Sequence, residues 1–274
     1  MASRYLDAEG PRVFAHRGFA DGVPGNTLAA FRAALEAGAT HLESDVRATR
    51  DGIPVLFHDE HLSVGLVPGS AAMPGGPAIR SLTLADARRI DLGGGHGIPT
   101  VAEALHAFPE ALWNLDLKAP DAVVATAKQV WRTGAADRVL LTSFSEAARA
   151  RAVRLLPGIA TSASSIGTGA ILLAALTGRA ALVRAVVRLL PGTVLALQIP
   201  ERAGPLPLVT TPLLATLHAA GLEVHVWTVN ERSDIRRLLL MGVDGIVTDR
   251  PDVARAVVDV LDAFEAFGPP HAGS

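Results

Sequence analysis

Two short strand-like runs place acids where a cation could lie between them. In His41-Leu-Glu-Ser-Asp-Val46 the carboxylates of Glu43 and Asp45 stand two residues apart, so on an extended chain they point to one face. Their neighbours read as a buried strand, and buried carboxylates without partners are costly, which favours a shared cation; a solvent-exposed strand end with two charges is the other reading. The same period recurs in Asn114-Leu-Asp-Leu-Lys118, which puts Asp116 and Lys118 on one face, as part of the same site or as a structural ion pair. Two histidines end strand-like runs, His16 in Val-Phe-Ala-His-Arg-Gly18 and His58 in Val-Leu-Phe-His-Asp59. One strand-end histidine is usually structural. Two of them beside Glu-x-Asp and Asp-x-Lys suggest a site of three carboxylates, two imidazoles, Arg17 and Lys118. Oxygen donors favour Mg²⁺ or Ca²⁺ over zinc. Cationic groups beside a divalent ion suit a phosphate ester, and two histidines suit a general base and a general acid. Acid–base assistance alone is worth roughly 10²–10⁴ in rate, whereas enzymes reach about 10¹⁷. The cation, Arg17 and Lys118 would therefore have to hold the charge that builds on the phosphoryl oxygens.

These residues need strands to aim them. Short apolar runs alternate with alanine- and leucine-rich segments of helical period, a pattern of βα units on a parallel sheet. Strands are expected near residues 12–16, 41–47, 54–58, 112–117, 139–143, 159–162, 194–199, 223–228 and 245–248. Helices are expected at 27–36, 101–107, 122–133, 146–155, 211–219, 233–240 and 251–264. The 54–58 run follows its predecessor through Arg50-Asp-Gly52, a tight turn, so it extends the second strand unit. The fold class is α/β, a (β/α)₈ TIM-type barrel with a small insertion after the second strand. One barrel domain would span 1–274, with its core at about 12–264, a lobe or long loop at about 60–98 holding a short helix near 84–90, and a tail at 265–274. An open doubly wound sheet is the rival, but acids, bases and histidines at the ends of several separate strands favour the barrel.

Composition narrows the classes. The 274-residue chain is 49% hydrophobic with a net charge of −2, so no overall basic field would hold nucleic acid or an anionic membrane. It has no cysteine, which excludes disulfides, thiolate metal sites and a catalytic thiol. Lys118 and Lys128 are the only lysines among 25 basic residues, so a lysine beside Asp116 is a rare choice. The first ten residues include acids where a signal peptide needs an apolar run, and a cytoplasmic protein is expected. The stretch Ile166–Pro200 is unusual: apolar helices at 169–177 and 180–190 carry Arg179, Arg184 and Arg188. They read as barrel-packing helices or as an apolar lip making transient contact with a membrane surface.

The ordered set Ala15-His-Arg-Gly18, Asn26-Thr-Leu-Ala-Ala-Phe31, Leu42-Glu-Ser-Asp-Val46, Asp51-Gly-Ile-Pro-Val-Leu-Phe-His-Asp59, Ile98-Pro-Thr100, Asn114-Leu-Asp-Leu-Lys118, Val226-Trp-Thr-Val-Asn230 and Gly242-Val-Asp-Gly-Ile-Val-Thr-Asp-Arg-Pro251 resembles the motifs of the glycerophosphodiester phosphodiesterase family. The resemblance implies a (β/α)₈ barrel that hydrolyses glycerophosphodiesters to an alcohol and glycerol phosphate with one Mg²⁺ or Ca²⁺. It implies that Glu43, Asp45 and Asp116 are metal ligands, His16 and His58 the catalytic pair, Arg17 and Lys118 cationic substrate-binding residues, and Trp227 an aromatic near the pocket. The family usually has Glu where this chain has Gly25, and often Glu at the position of Asp116, although related phospholipase D-like toxins use Asp there. Its Glu-x-Leu-Asp-Arg-Thr after the second histidine is replaced by Glu60-His-Leu-Ser-Val-Gly. A lysophospholipid-directed phospholipase D activity and an inert phosphoester-binding barrel are the alternatives.

Overall fold

The computed structural model describes residues 3–7, 10–62 and 76–267. In chain order the elements are β1 (Arg12–His16), α1 (Leu28–Glu36), β2 (His41–Ala48), β3 (Pro54–Leu56), a 3₁₀ turn (Ile79–Ser81), α2 (Leu84–Ala87), α3 (Val101–Ala107), β4 (Leu112–Leu117) and α4 (Ala122–Arg132). They continue with β5 (Val139–Thr142), α5 (Glu146–Leu155), β6 (Ala160–Ser162), α6 (Ser165–Ala175), α7 (Ala180–Leu189), β7 (Thr193–Pro200), β8 (Arg202–Ala203) and β9 (Leu206–Pro207). The last are α8 (Thr211–Ala219), β10 (Glu223–Trp227), α9 (Arg232–Leu240), β11 (Gly245–Thr248) and α10 (Pro251–Phe267).

Strands β1, β2, β4, β5, β6, β7, β10 and β11 are parallel neighbours, and β11 pairs with β1 to close the ring. This is the (β/α)₈ barrel, not the open sheet. β3 runs antiparallel on the end of β2, as the Arg50-Asp-Gly52 turn implied; Gly52 there has φ +74°. The strand expected over 54–58 stops at Leu56, so His58 stands on the loop just past it. The β8–β9 hairpin was not foreseen, since two-residue strands carry no periodic signal.

Helix starts follow local chemistry. Thr27 accepts from the Ala30 amide, and Thr100 with Glu103 forms a reciprocal capping box at α3. The main core lies between sheet and helices, around Trp113 against Phe31 at 4.9 Å between ring centroids. A second cluster, Val55, Leu62, Ile79, Ala87, Ile90 and Ile98, anchors the described part of the 60–98 insertion. Residues 63–75 of that insertion and 268–274 of the expected tail lie outside the described residues. Inside the barrel, Tyr5, Phe14, Leu140, Ala160 and Val247 pack together below the site, with the rings of His41 and His225 each 4.6 Å from Phe14.

Candidate active site

Strand register decides which side chains meet. His16, Glu43 and Asn114 are aligned across β1, β2 and β4, and Asp45, Asp116 and Thr142 form the next row towards the strands' C-terminal ends. Two layers of polar side chains are therefore stacked where a parallel barrel builds its sites. A pocket of about 440 Å³ opens there, lined among others by His16, Arg17, Glu43, Asp45, His58, Asp116, Lys118 and Trp227. Every residue singled out in the sequence reaches this one cavity.

The acidic group is buried: Glu43, Asp45 and Asp116 are 6%, 2% and 6% exposed. Burial, with Asp45 and Asp116 close by, pushes the Glu43 carboxyl well above the usual range. Burial also raises Asp116, partly offset by Lys118. Burial would raise Asp45 too, but Lys118 and Arg17 outweigh it and hold this carboxyl low. Lys118 Nζ lies 2.6 Å from Asp116 Oδ2 and 3.0 Å from Asp45 Oδ1, and although burial disfavours its charge, the two acids keep it ionised. Arg17 Nε approaches Asp45 Oδ2 at 3.2 Å, and the Arg17 amide donates to Glu43 Oε2 at 3.1 Å.

Among the described residues, no group of three or more His, Asp and Glu side chains is already closed around a cation position. The Lys118 ammonium stands between Asp45 and Asp116 as their counter-charge. The donor chemistry still fits a hard divalent ion. Asp116 Oδ1 and Asn114 Oδ1 are buried with no hydrogen-bond partner, and oxygen atoms left unsatisfied beside two further carboxylates are what such an ion requires.

The histidines are held from behind. His16 Nδ1 donates to Asp249 Oδ1 at 2.7 Å, and Asn230 Nδ2 donates to Asp249 Oδ2 at 2.8 Å. The Asp249 amide and Thr248 Oγ1 both donate to Asn230 Oδ1, closing the clamp. The His16 bond lowers the Asp249 carboxyl below its usual range. His58 Nδ1 donates to Asp59 Oδ1 at 2.8 Å. In both rings Nε2 is left free of this bond.

The sequence reading missed several of these partners. Asp249 and Asn230 lay inside quoted motifs, yet neither sits at period two with an acid, so only tertiary contact reveals them. Asn26, at φ +59°, donates to Asp45 Oδ2 at 3.3 Å and accepts from Ser44 Oγ at 2.6 Å. Gly25 therefore does not leave Asp45 without a neighbour; a Cβ there would lie 3.4 Å from Arg17. Phe144, missed in the loop after β5, packs edge-on to Trp227 at 6.2 Å and faces Lys118 Nζ at 5.5 Å. Gly18 has φ +82° and its absent Cβ would stand 2.7 Å from the Ala30 carbonyl carbon, so glycine alone lets the His16-Arg17 turn close on α1.

The chain is similar to known proteins of one family. The family model described as "Glycerophosphoryl diester phosphodiesterase family" matches residues 16–253. The chain is 42% identical over 255 residues to "Probable glycerophosphodiester phosphodiesterase 2" of Mycobacterium tuberculosis, covering 93% of each chain. It is 30% identical to a glycerophosphodiester phosphodiesterase of Bacillus altitudinis, covering 89% of this chain and 96% of that one. Among solved structures, an Oleispira antarctica phosphodiesterase in complex with the product sn-glycerol-3-phosphate aligns with a TM-score of 0.73 at 25% identity, covering 91% and 97% of the two chains.

Proposed function

The chain belongs to the glycerophosphoryl diester phosphodiesterase family, and from that premise we propose that it hydrolyses a glycerophosphodiester to an alcohol and glycerol phosphate through acid–base catalysis by His16 and His58. The observation that carries this reading is the convergence of both imidazoles, three buried carboxylates, Arg17 and Lys118 on one pocket. The family is generally dependent on a divalent metal. Glu43, Asp45 and Asp116 are the residues that would hold one Mg²⁺ or Ca²⁺, and among their oxygens Asp116 Oδ1 is buried without a hydrogen-bond partner. When bound, such an ion supplies Lewis-acid polarisation of a phosphoryl oxygen.

His16 acts as the base. Its Nδ1–H is fixed to Asp249, so Nε2 takes the proton of the nucleophile as the new P–O bond forms; the nucleophile is water, or the substrate's own glycerol hydroxyl, which gives a cyclic phosphate that water then opens to glycerol phosphate. The anchored carboxylate stabilises the imidazolium that results. His58 donates a proton to the leaving alkoxide as the old P–O bond breaks. Arg17 and Lys118 offset the charge gathering on the phosphoryl oxygens, and Trp227 with Phe144 walls the alcohol side. An oriented imidazole has no purpose in an inert phosphoester binder.

A second reading, hydrolysis of a lysophospholipid, draws support from the apolar pocket wall of Leu172, Ile199 and Leu208. Release of the head-group alcohol, choline or ethanolamine, is to be measured on glycerophosphocholine, glycerophosphoethanolamine and lysophosphatidylcholine with wild type, His16→Ala and His58→Ala. Wild type turns over the deacylated diesters, and each variant loses at least about 10²-fold. Wild-type rates in either variant would remove the histidines from the mechanism, and turnover confined to the lysolipid would favour the second reading.

A further inference from the structure

Helix α6 contradicts the usual rule that a surface helix shows polar residues to water. Its sequence, SIGTGAILLAA, holds no charge at all. One side is accounted for: Ile171, Ala174 and Ala175 are buried in the main core, and Ser165, Thr168 and Leu172 line the active-site pocket. The remaining side is bare, with Ile166 76%, Leu173 71% and Leu176 77% exposed. Helix α7 packs beside it, Leu190 lying 3.2 Å from the position a Gly167 Cβ would take. Its open face repeats the theme, with Leu182 and Leu189 seven residues apart and Arg184 and Arg188 between them in sequence.

The charge pattern is equally one-sided. Between Glu146 and Glu201 the chain has no acidic residue but six arginines: 149, 151, 154, 179, 184 and 188. Arg149 is buried against Glu146, and Arg184 donates to the Ala219 carbonyl. Arg179 and Arg188 have no carboxylate partner among the described residues.

We propose that the outer face of the α6–α7 pair, Ile166, Leu173, Leu176, Leu182 and Leu189 with Arg179 and Arg188, is a docking surface for an anionic phospholipid bilayer. Aliphatic side chains enter the headgroup boundary while arginines, stems laid along the apolar surface, meet the lipid phosphates. A second copy of this chain fits poorly, because joining two such faces would bring unpaired arginines together with no acid to answer them. The surface stands on exposure and charge alone, so it is independent of the chemistry assigned to the pocket.

The test is flotation of the full chain with vesicles of phosphatidylcholine alone and with phosphatidylglycerol added, at low salt and at high salt. Wild type is expected to float with the anionic vesicles only and to be released by salt. Leu173→Glu with Leu176→Glu should weaken binding at least tenfold. Arg179→Gln with Arg188→Gln should weaken it about thirtyfold, each arginine at an anionic surface contributing roughly fivefold. Both double variants should keep wild-type thermal unfolding and glycerophosphocholine hydrolysis in solution. No flotation, equal flotation with neutral vesicles, unchanged binding in both variants, or a dimer in solution that Leu173→Glu abolishes would each overturn the proposal.

Discussion

His41 sits on β2 two residues before Glu43 and faces the same barrel interior, so its titration reports on the floor beneath the site. Burial, reinforced by His225 and Arg12 and opposed by the Tyr5 carbonyl and Glu223, lowers its pKa from 6.5 to about 3. The neutral ring is satisfied as it stands: Nε2 donates to the Tyr5 carbonyl at 2.9 Å, and Nδ1 meets Thr40 Oγ1 at 2.8 Å. Below its ordinary pKa the unfolded chain takes up a proton here while the folded chain does not. Stability from this group is therefore complete above pH 6.5 and is lost as pH falls, the loss ending below pH 3. Linkage gives a loss of about 2 kcal/mol at pH 5, and about 5 kcal/mol once both states are protonated. Urea unfolding at pH 7.5 and pH 5.0 should show wild type losing about 2 kcal/mol more than His41→Gln, or roughly 4–8 °C in melting temperature. The glutamine amide can still donate to the Tyr5 carbonyl but cannot titrate. Equal acid losses in the two proteins would refute a neutral, desolvated His41.

Asp249→Asn should lower kcat on glycerophosphocholine about 10²–10³-fold with KM within about threefold, because it removes the carboxylate that orients His16 and stabilises its protonated form. A parallel rise in KM would point to pocket collapse instead. Gly18→Ala should abolish most activity and lower the melting temperature, since the added methyl meets the Ala30 backbone at 2.7 Å; wild-type behaviour in both assays would contradict the close approach. Trp113→Ala, at the fully buried centre of the Phe31–Phe108–Trp113 group, should cost about 3–5 kcal/mol in urea unfolding.

Much of this was legible from local pattern. Period-two acids on β2 and β4 were readable because the two strands pair in register, bringing Asp45 opposite Asp116. His16 was readable because it ends barrel strand β1, whereas His58 reaches the same cavity from the loop just past β3. What escaped depends on contacts distant in sequence. Asp249 meets His16 across 233 positions and Asn230 reaches Asp249 across 19, and neither leaves a spacing signal. Tyr5, in a segment that reads as an unremarkable terminus, is fully buried as part of the barrel floor. The bridging position of Lys118 was also invisible: the sequence put it beside Asp116 but not between two acids.

The central claim is that Glu43, Asp45 and Asp116 together recruit one divalent cation on which hydrolysis depends. The direct measurement is calorimetric titration of chelator-treated protein with Mg²⁺ and Ca²⁺, paired with glycerophosphocholine turnover before and after each addition, for wild type and Glu43→Gln. Wild type should show a single binding event that restores activity, and the variant weakened binding with a matching loss of turnover. Full turnover by metal-free wild type, or unchanged binding in Glu43→Gln, would contradict it.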